Sequence, residues 1–235
     1  VKKGKLFYIN MDLCDYMDYS PLYLSLWVSV IATVIIAVFG TLIAYLLARK
    51  RFFARTVLDA FTTLPMILPP TVTGYYLIII LGKNGIIGKH IYELTGLSIM
   101  FTWQAAVIAA TVVAMPIMIK SAKAAIESVD REFEKAAFTL GKSEIETFFL
   151  VTLPLAKKGL MAGLILSFAR ALGEFGATIM VAGNIPGKTS TMPLSIYSAV
   201  QTGEDRLASI LVIILTVISI VVIYITTRIS ESDRY

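Results

Sequence analysis

The chain has 235 residues, 57% of them hydrophobic and only 16% charged, whereas a soluble domain carries roughly 25% charged residues. A mean hydropathy of +0.79 agrees that this is a membrane protein and excludes an ordinary soluble enzyme. The net charge of +5 follows from basic loops that set membrane topology, so nucleic-acid binding is not expected.

Val1 to Leu6 are basic, but no apolar core with a small-residue cleavage site follows before Asp12, Asp15 and Asp18. A cleaved signal peptide is therefore not expected, residues 1–20 read as an outer N-terminal segment, and Met11 offers an alternative start. Cys14 is the single cysteine and His90 the single histidine. An intramolecular disulfide, a Cys/His metal site and a Ser-His-acid triad all lack members.

A helix needs about 20 mainly apolar residues to cross the hydrocarbon core. Five segments qualify, at about 22–48, 57–81, 99–119, 157–182 and 207–227. No repeat and no Gly/Ser-rich or Pro-rich linker separates a second unit, so residues 1–235 form one all-α membrane domain.

Within the second segment, Pro65, Pro69 and Pro70 remove three backbone donors in six residues. Such a break is tolerated at membrane depth only where protein or a water-filled cavity satisfies the freed groups. Thr62, Thr63, Thr71 and Thr73 place hydroxyls beside it. Those hydroxyls either line a polar path or bond their own helix at a packing kink.

After the third segment comes a polar stretch. Ala136, Ala137 and Leu140 fall at helical spacing beside Glu134 and Lys135, giving a short helix with a small-residue face. Gly141 supplies a turn, Ser143 with Glu146 reads as a capping box opening a second short helix, and Pro154 marks a break before the next apolar segment. The result is a helix-turn-helix over about 131–147, or simply an amphipathic surface hairpin.

In the fourth segment Arg170 and Glu174 lie four residues apart. That spacing predicts an intrahelical pair, since charges at that depth are costly unless mutually neutralised. Gly159, Gly163, Gly173 and Gly176 read as close helix contacts rather than ligands. The following Ala182–Thr189 stretch (AGNIPGKT) resembles a nucleotide loop without its first glycine. It follows a helix rather than a strand, Pro186 removes a donor, and no Walker B strand follows, so ATP binding is not expected here.

With the N-terminus outside and the C-terminus inside, thirteen basic residues fall on the cytoplasmic side, including Arg49, Lys50, Arg51, Arg55 and those of the loop 120–158. Seven fall outside, and Arg170 sits within a span. The positive-inside rule favours that orientation and places the hairpin in the cytoplasm.

The run Glu134-Lys135-Ala136-Ala137-Phe138-Thr139-Leu140-Gly141 followed by Val151-Thr152-Leu153-Pro154 resembles the cytoplasmic coupling loop of ABC-importer permeases. That pattern is Glu-Ala-Ala, three residues, Gly, nine residues, an aliphatic, any residue and Leu-Pro. Lys135 stands where the family has Glu, and Glu134 lies one residue earlier.

Ser167-Phe168-Ala169-Arg170-Ala171-Leu172-Gly173-Glu174-Phe175-Gly176-Ala177-Thr178, then Gly183 to Pro193, resemble the permeases of molybdate ABC importers. Leu64 to Leu77 and the pair Trp103-Gln104 add to the likeness, which runs from about Leu22 to Arg228. Sulfate and thiosulfate permeases share the Gly173-Glu174-Phe175-Gly176 segment. The outer loop ending at Pro193 tips the resemblance to molybdate, with tungstate close.

The resemblance implies a type I ABC importer permease fold in the cell membrane, and a homodimer forming one pathway. Two ATPase subunits are expected below and a substrate-binding protein above. ATP and Mg would be held by the ATPase, with no cofactor on this chain and no enzymatic role. It implies ATPase coupling by Glu134, Lys135, Ala136, Ala137, Gly141, Leu153 and Pro154. Thr62, Thr63, Pro65, Pro69, Pro70, Thr71, Thr73, Arg170 and Glu174 become candidates for the translocation pathway or gate of a dianion.

Two other classes predict different features. An ion-coupled carrier calls for internal repeats with paired broken helices, and only one Pro-broken span is visible. An intramembrane enzyme calls for ionisable groups clustered at one depth, and Arg170 with Glu174 is the single charged pair well inside a span.

Overall fold

The computed structural model describes residues 19–231. The expectations for residues 1–18, including Cys14, and for Arg234 lie outside the described residues.

The described chain is helical throughout. It runs α1 (Ser20–Arg49), α2 (Arg55–Ile67), α3 (Pro70–Leu81), α4 (Gly88–Thr95), α5 (Trp103–Glu127) and α6 (Arg131–Thr139). There follow α7 (Glu144–Thr147), a π-helical turn (Phe148–Thr152), α8 (Leu153–Leu172), α9 (Gly176–Ala182), α10 (Met192–Thr202) and α11 (Asp205–Glu231).

Helix α5 is the axis of the molecule. Its apolar stretch is 67% buried, against 28% for α1, 22% for the stretch through α8 and 17% for α11. The sequence explains why. Ala105, Ala106, Ala109, Ala110, Ala114 and Ala122 leave almost no surface exposed, and small side chains let helix backbones approach closely where lipid supplies no hydrophobic drive.

Glycines on the neighbours complete the fit. A Cβ on Gly159 of α8 would lie 2.5 Å from the Ala125 Cβ, and one on Gly163 2.6 Å from the Ser121 Cβ. On α1, a Cβ at Gly40 would meet Met118 at 2.9 Å. Of the four glycines read as helix contacts, Gly173 is the exception: it is exposed and touches no neighbouring helix at close range. The outer faces of α1 and α11 carry exposed Val34, Val38, Phe39, Ile213, Ile220 and Ile223, as suits helices solvated by lipid chains.

Four continuous helical stretches are long and apolar enough to cross a membrane, and α2 with α3 makes a fifth if the bent pair is one crossing. Three boundaries differ from the sequence reading. The 57–81 segment is not one straight span, because α2 and α3 meet at 117°. Pro65 is accommodated inside α2, and the break comes at Leu68–Pro69, with Pro70 opening α3 at a position that needs no N–H.

The 157–182 segment is also broken. Helix α8 stops at Leu172, and α9 starts afresh at Gly176. Pro154, conversely, breaks nothing: the helical run from Glu144 to Leu172 is continuous for 29 residues. The π turn is the reason. Leu153 N–H bonds the Phe148 carbonyl five residues back, and this widened turn removes the clash that proline makes with the carbonyl four residues before it.

Candidate functional site: the polar hairpin and the helix breaks

The hairpin is built by local signals. Asp130 caps α6 by accepting the Glu132 N–H at 3.0 Å, and Glu132 and Glu134 in the first turn complement the helix dipole. At the other end Gly141 has φ +79°. Its N–H bonds the Phe138 carbonyl at 3.0 Å, and Lys142 N–H bonds the Ala137 carbonyl at 3.1 Å, the paired closure of a Schellman motif. Ser143 and Glu146 then form the capping box of α7, with Ser143 N–H donating to Glu146 Oε2 at 2.9 Å and Glu146 N–H to Ser143 Oγ at 3.3 Å.

A buried ion pair anchors this hairpin to the membrane helices. Arg49 Nε lies 2.9 Å from Glu134 Oε1, and the two side chains are only 8% and 12% exposed. Arg49 Nη2 also donates to the Val129 carbonyl at 2.9 Å, and Thr152 Oγ1 donates to Glu134 Oε1 at 2.7 Å. Glu134 thus joins the end of α1, helix α6 and the π turn. A second anchor holds α7, where Glu144 Oε1 accepts from Tyr45 Oη at 3.0 Å and lies 2.6 Å from Lys50 Nζ.

The residues expected on one face divide. Ala137 is buried against the protein while Ala136 is exposed, so the two alanines do not form a single outward small face. Lys135 points outward and pairs with Glu132 at 2.6 Å, and this carboxylate raises the lysine's pKa above its ordinary value. Among these outward charges the hairpin also exposes large apolar side chains: Phe133, Phe138, Leu140 and Ile145 are 56%, 47%, 82% and 72% exposed. Leu153 packs partly into the core, and Pro154 is exposed.

At the helix breaks the structure joins what the sequence listed apart. A Cβ on Gly176, at the start of α9, would lie 2.8 Å from the Pro70 Cβ at the start of α3, and one on Gly74 would lie 2.7 Å from the Met180 Cβ. The two broken spans therefore meet at their breaks. The second break carries no proline, which is why counting prolines found only one.

Arg170 and Glu174 are in contact, Nη1 to Oε2 at 2.8 Å. The pair is not intrahelical, however. Glu174 lies beyond the end of α8, and its Oε1 accepts the Ala177 N–H of α9 at 2.8 Å. One carboxylate therefore neutralises the arginine and closes the first turn of the next helix. Glu174 is buried, and the Arg170 side chain keeps a third of its surface exposed.

The threonines do not converge. Thr62 and Thr63 donate to the Asp59 carbonyl of their own helix at 3.2 and 2.6 Å. On α3, Thr71 is exposed while Thr73 is buried with its hydroxyl unpartnered. Among the candidate pathway residues, the proline break with the adjoining Thr71 and the Arg170–Glu174 pair share one region, because Gly176 packs on Pro70 and the Thr71 backbone.

The loop after α9 closes on itself. The Lys188, Thr189 and Ser190 N–H groups all bond the Ile185 carbonyl, and Thr189 Oγ1 accepts from the Ile185 N–H. Those donors are used within the loop, and a helix, not a strand, precedes it.

Sequence reasoning missed Arg49, Tyr45, Lys50 and Glu144 as anchors, because it counted the basic ones for topology alone. It also passed over Asp59, Lys120 and Lys123, where one carboxylate bridges two ammonium groups at 2.6 and 2.9 Å.

Residues 36–233 match the family described as binding-protein-dependent transport system inner membrane component. The molybdenum transport system permease protein ModB of Haemophilus influenzae is 43% identical over 208 residues, covering 87% of this chain and 91% of its own. ModB of Escherichia coli K12 is 42% identical over 216 residues, covering 91% and 92%. A putative molybdenum transport system permease protein of Bacillus subtilis, YvgM, is 43% identical over 206 residues, covering 88% and 91%.

In three dimensions the chain resembles the inward-facing MetNI methionine ABC transporter. The TM-score is 0.67 at 16% identity, covering 90% of this chain and 94% of that one. A bacterial ABC transporter importing alginate gives a TM-score of 0.63 at 15% identity, covering 92% and 80%. This likeness, with the bent α2–α3 pair and the helical hairpin, is that of type I ABC importer permeases, and the chain belongs to the family of inner-membrane components of binding-protein-dependent transport systems.

Proposed function

We propose that this chain is the permease subunit of an ATP-driven importer that carries molybdate, with tungstate close behind, into the cytoplasm. Two copies form one pathway, two ATPase chains holding ATP and Mg bind the cytoplasmic side, and a substrate-binding protein delivers the anion outside. The observation that carries the reading is similarity above 40% identity, over 87–91% of this chain and 91–92% of the relatives, to permeases named for molybdenum transport. The loop from Gly183 to Pro193 supports it. The N-terminus lies outside and the C-terminus inside, on the strength of the basic residues around Arg49–Arg55 and the hairpin.

The geometry supports a mechanical role. The outward apolar residues Phe133, Phe138, Leu140 and Ile145 form the surface that seats in an ATPase cleft. Because Glu134 and Glu144 tie the hairpin to α1, and the π turn runs directly into α8, a displacement of the hairpin moves two membrane helices as rigid bodies. The cargo step is non-covalent. At the meeting of the two breaks, Arg170 offers a guanidinium one-third exposed, whose attraction for a dianion is tempered by Glu174, so the anion is passed on instead of trapped.

Copurification tests the partner assignment. Tagged permease should bring down its ATPase, and Leu140→Asp, which places a charge on the docking surface, should release it while the permease dimer persists. Recovery of the ATPase with Leu140→Asp at the wild-type level contradicts docking at this hairpin. Uptake driven by sulfate and not by molybdate moves the cargo to the sulfate branch.

A further inference from the structure

Helix α2 buries no residue completely and packs on α5. Two charged bridges tie it there. Asp59 takes Lys120 Nζ on Oδ1 at 2.6 Å and Lys123 Nζ on Oδ2 at 2.9 Å, with Lys123 19% and Asp59 25% exposed. One turn away, Arg55 Nη2 reaches Glu127 Oε1 at 3.4 Å.

Beside these groups lies an open cavity of about 570 Å³, lined by Arg55, Asp59, Lys120 and Lys123 with Thr56, Thr63 and apolar side chains of α2. At about 30 Å³ per water, it has room for a tetrahedral oxyanion with most of its hydration shell. Its lining holds three cations against one carboxylate, with Arg55 paired to Glu127 beyond the lining. It sits within two turns of the end of α5, immediately before the hairpin, on the side of the membrane where the ATPases are placed.

We infer that this α2–α5 cavity is a release site for a divalent oxyanion, in which Lys120 and Lys123 exchange the Asp59 carboxylate for the passing anion. The inference rests on the proposed oxyanion cargo. The bridging geometry is the argument. A carboxylate presents an edge of two oxygens to two ammonium groups, and a tetrahedral oxyanion presents a similar edge with twice the charge.

Two lysines alone would hold a dianion tightly. Asp59 is a tethered competitor that re-forms both bridges as the anion leaves, which suits a pathway whose sites must bind strongly enough to admit an ion and weakly enough to let it go. The same exchange loosens α2 from α5 while the anion is present and restores it afterwards. Lys120 and Lys123 are thereby ligand-binding residues, and Asp59 acts through them.

Equilibrium binding of radiolabelled molybdate to the permease–ATPase complex in nanodiscs, without binding protein, tests this. Asp59→Asn should tighten molybdate binding at least tenfold, and adding Lys120→Gln and Lys123→Gln should abolish the gain. Equal affinity of wild type and Asp59→Asn overturns the inference, as does a gain that survives loss of both lysines.

Where Asp59→Asn does not assemble, Lys123→Arg and Lys123→Gln give the second reading. The arginine variant should keep wild-type binding, whereas the glutamine variant should lose at least fivefold; equal behaviour of the two overturns the site. Uptake by the wild-type complex separates the premises. Absence of any oxyanion uptake defeats the cargo assignment, whereas normal molybdate uptake with no effect of Asp59→Asn on binding defeats this site alone.

Discussion

Removing the Glu134 carboxylate should be among the most damaging single changes in the cytoplasmic half of the protein. In Glu134→Ala, Arg49 keeps its bond to the Val129 carbonyl but loses its counter-charge, and the Thr152 hydroxyl loses its acceptor. Breaking a buried pair by removing one partner costs about 3–5 kcal/mol. The surviving Val129 bond puts this case at the low end, about 3 kcal/mol. For a chain of this size each kcal/mol moves Tm by about 2–4 °C, so a fall of roughly 6–12 °C is expected.

The double variant Arg49→Met with Glu134→Leu removes both charges from a site where desolvation opposes them, and should recover at least half of that loss. Thermal unfolding of the purified permease followed by tryptophan fluorescence reads both quantities. Uptake per ATP hydrolysed should also fall in the single variant, because the hairpin is then held to α1 only through Glu144 and the Arg49–Val129 bond at its entrance. A single variant within about 2 °C of wild type, or a double variant whose loss is the sum of the two singles, refutes the reasoning.

Single cysteines at Ser143 and Asn84, in a Cys14→Ser background, should react with an impermeant thiol reagent from opposite sides of the membrane, Ser143 from the cytoplasm only; labelling of Ser143 in intact cells reverses the topology. Gly141→Val meets no neighbouring atom but forces a β-branched residue to positive φ at a cost of about 1–2 kcal/mol, so uptake should drop with the membrane fold intact, and Gly141→Asn, which tolerates that conformation, should retain most of it. Glu174→Gln should leave Arg170 without its counter-charge and impair assembly or gating, while Arg170→Gln with Glu174→Gln should recover part of the loss; a double variant that assembles normally yet transports as poorly as Arg170→Gln alone assigns Arg170 to direct anion contact.

Hydropathy, the three prolines and the Ser143–Glu146 spacing carry most of the fold, because membrane burial and helix capping are decided within a few residues of chain. What they could not reveal depends on how particular side chains and backbone groups pair, which residue type alone does not specify. The break after Leu172 has no proline, and glycine and glutamate in the run Gly173-Glu174 end the helix only because Glu174 is captured by both Arg170 and the Ala177 N–H. The smooth passage through Pro154 depends on a π turn that no residue type announces.

The coupling motif located the hairpin, yet its polar residues face differently from what charge alone suggests. Glu134 turns inward because Arg49, 85 residues earlier, waits at the end of α1. Lys135 remains outside with Glu132, and the outward surface mixes such charges with exposed Phe133, Phe138, Leu140 and Ile145. Arg49 and Lys50 counted as topology signals in the sequence, and nothing in their spacing says that they also hold the hairpin in place.

The most direct test is ATP-dependent uptake by vesicles reconstituted with the permease, its ATPase and its binding protein. Molybdate should accumulate with ATP and Mg present, tungstate should compete at comparable concentrations, and sulfate should compete weakly. Omission of the ATPase, or Leu140→Asp in the permease, should abolish accumulation. Molybdate uptake that proceeds without the ATPase, or none under any of these conditions while sulfate is imported, contradicts the account.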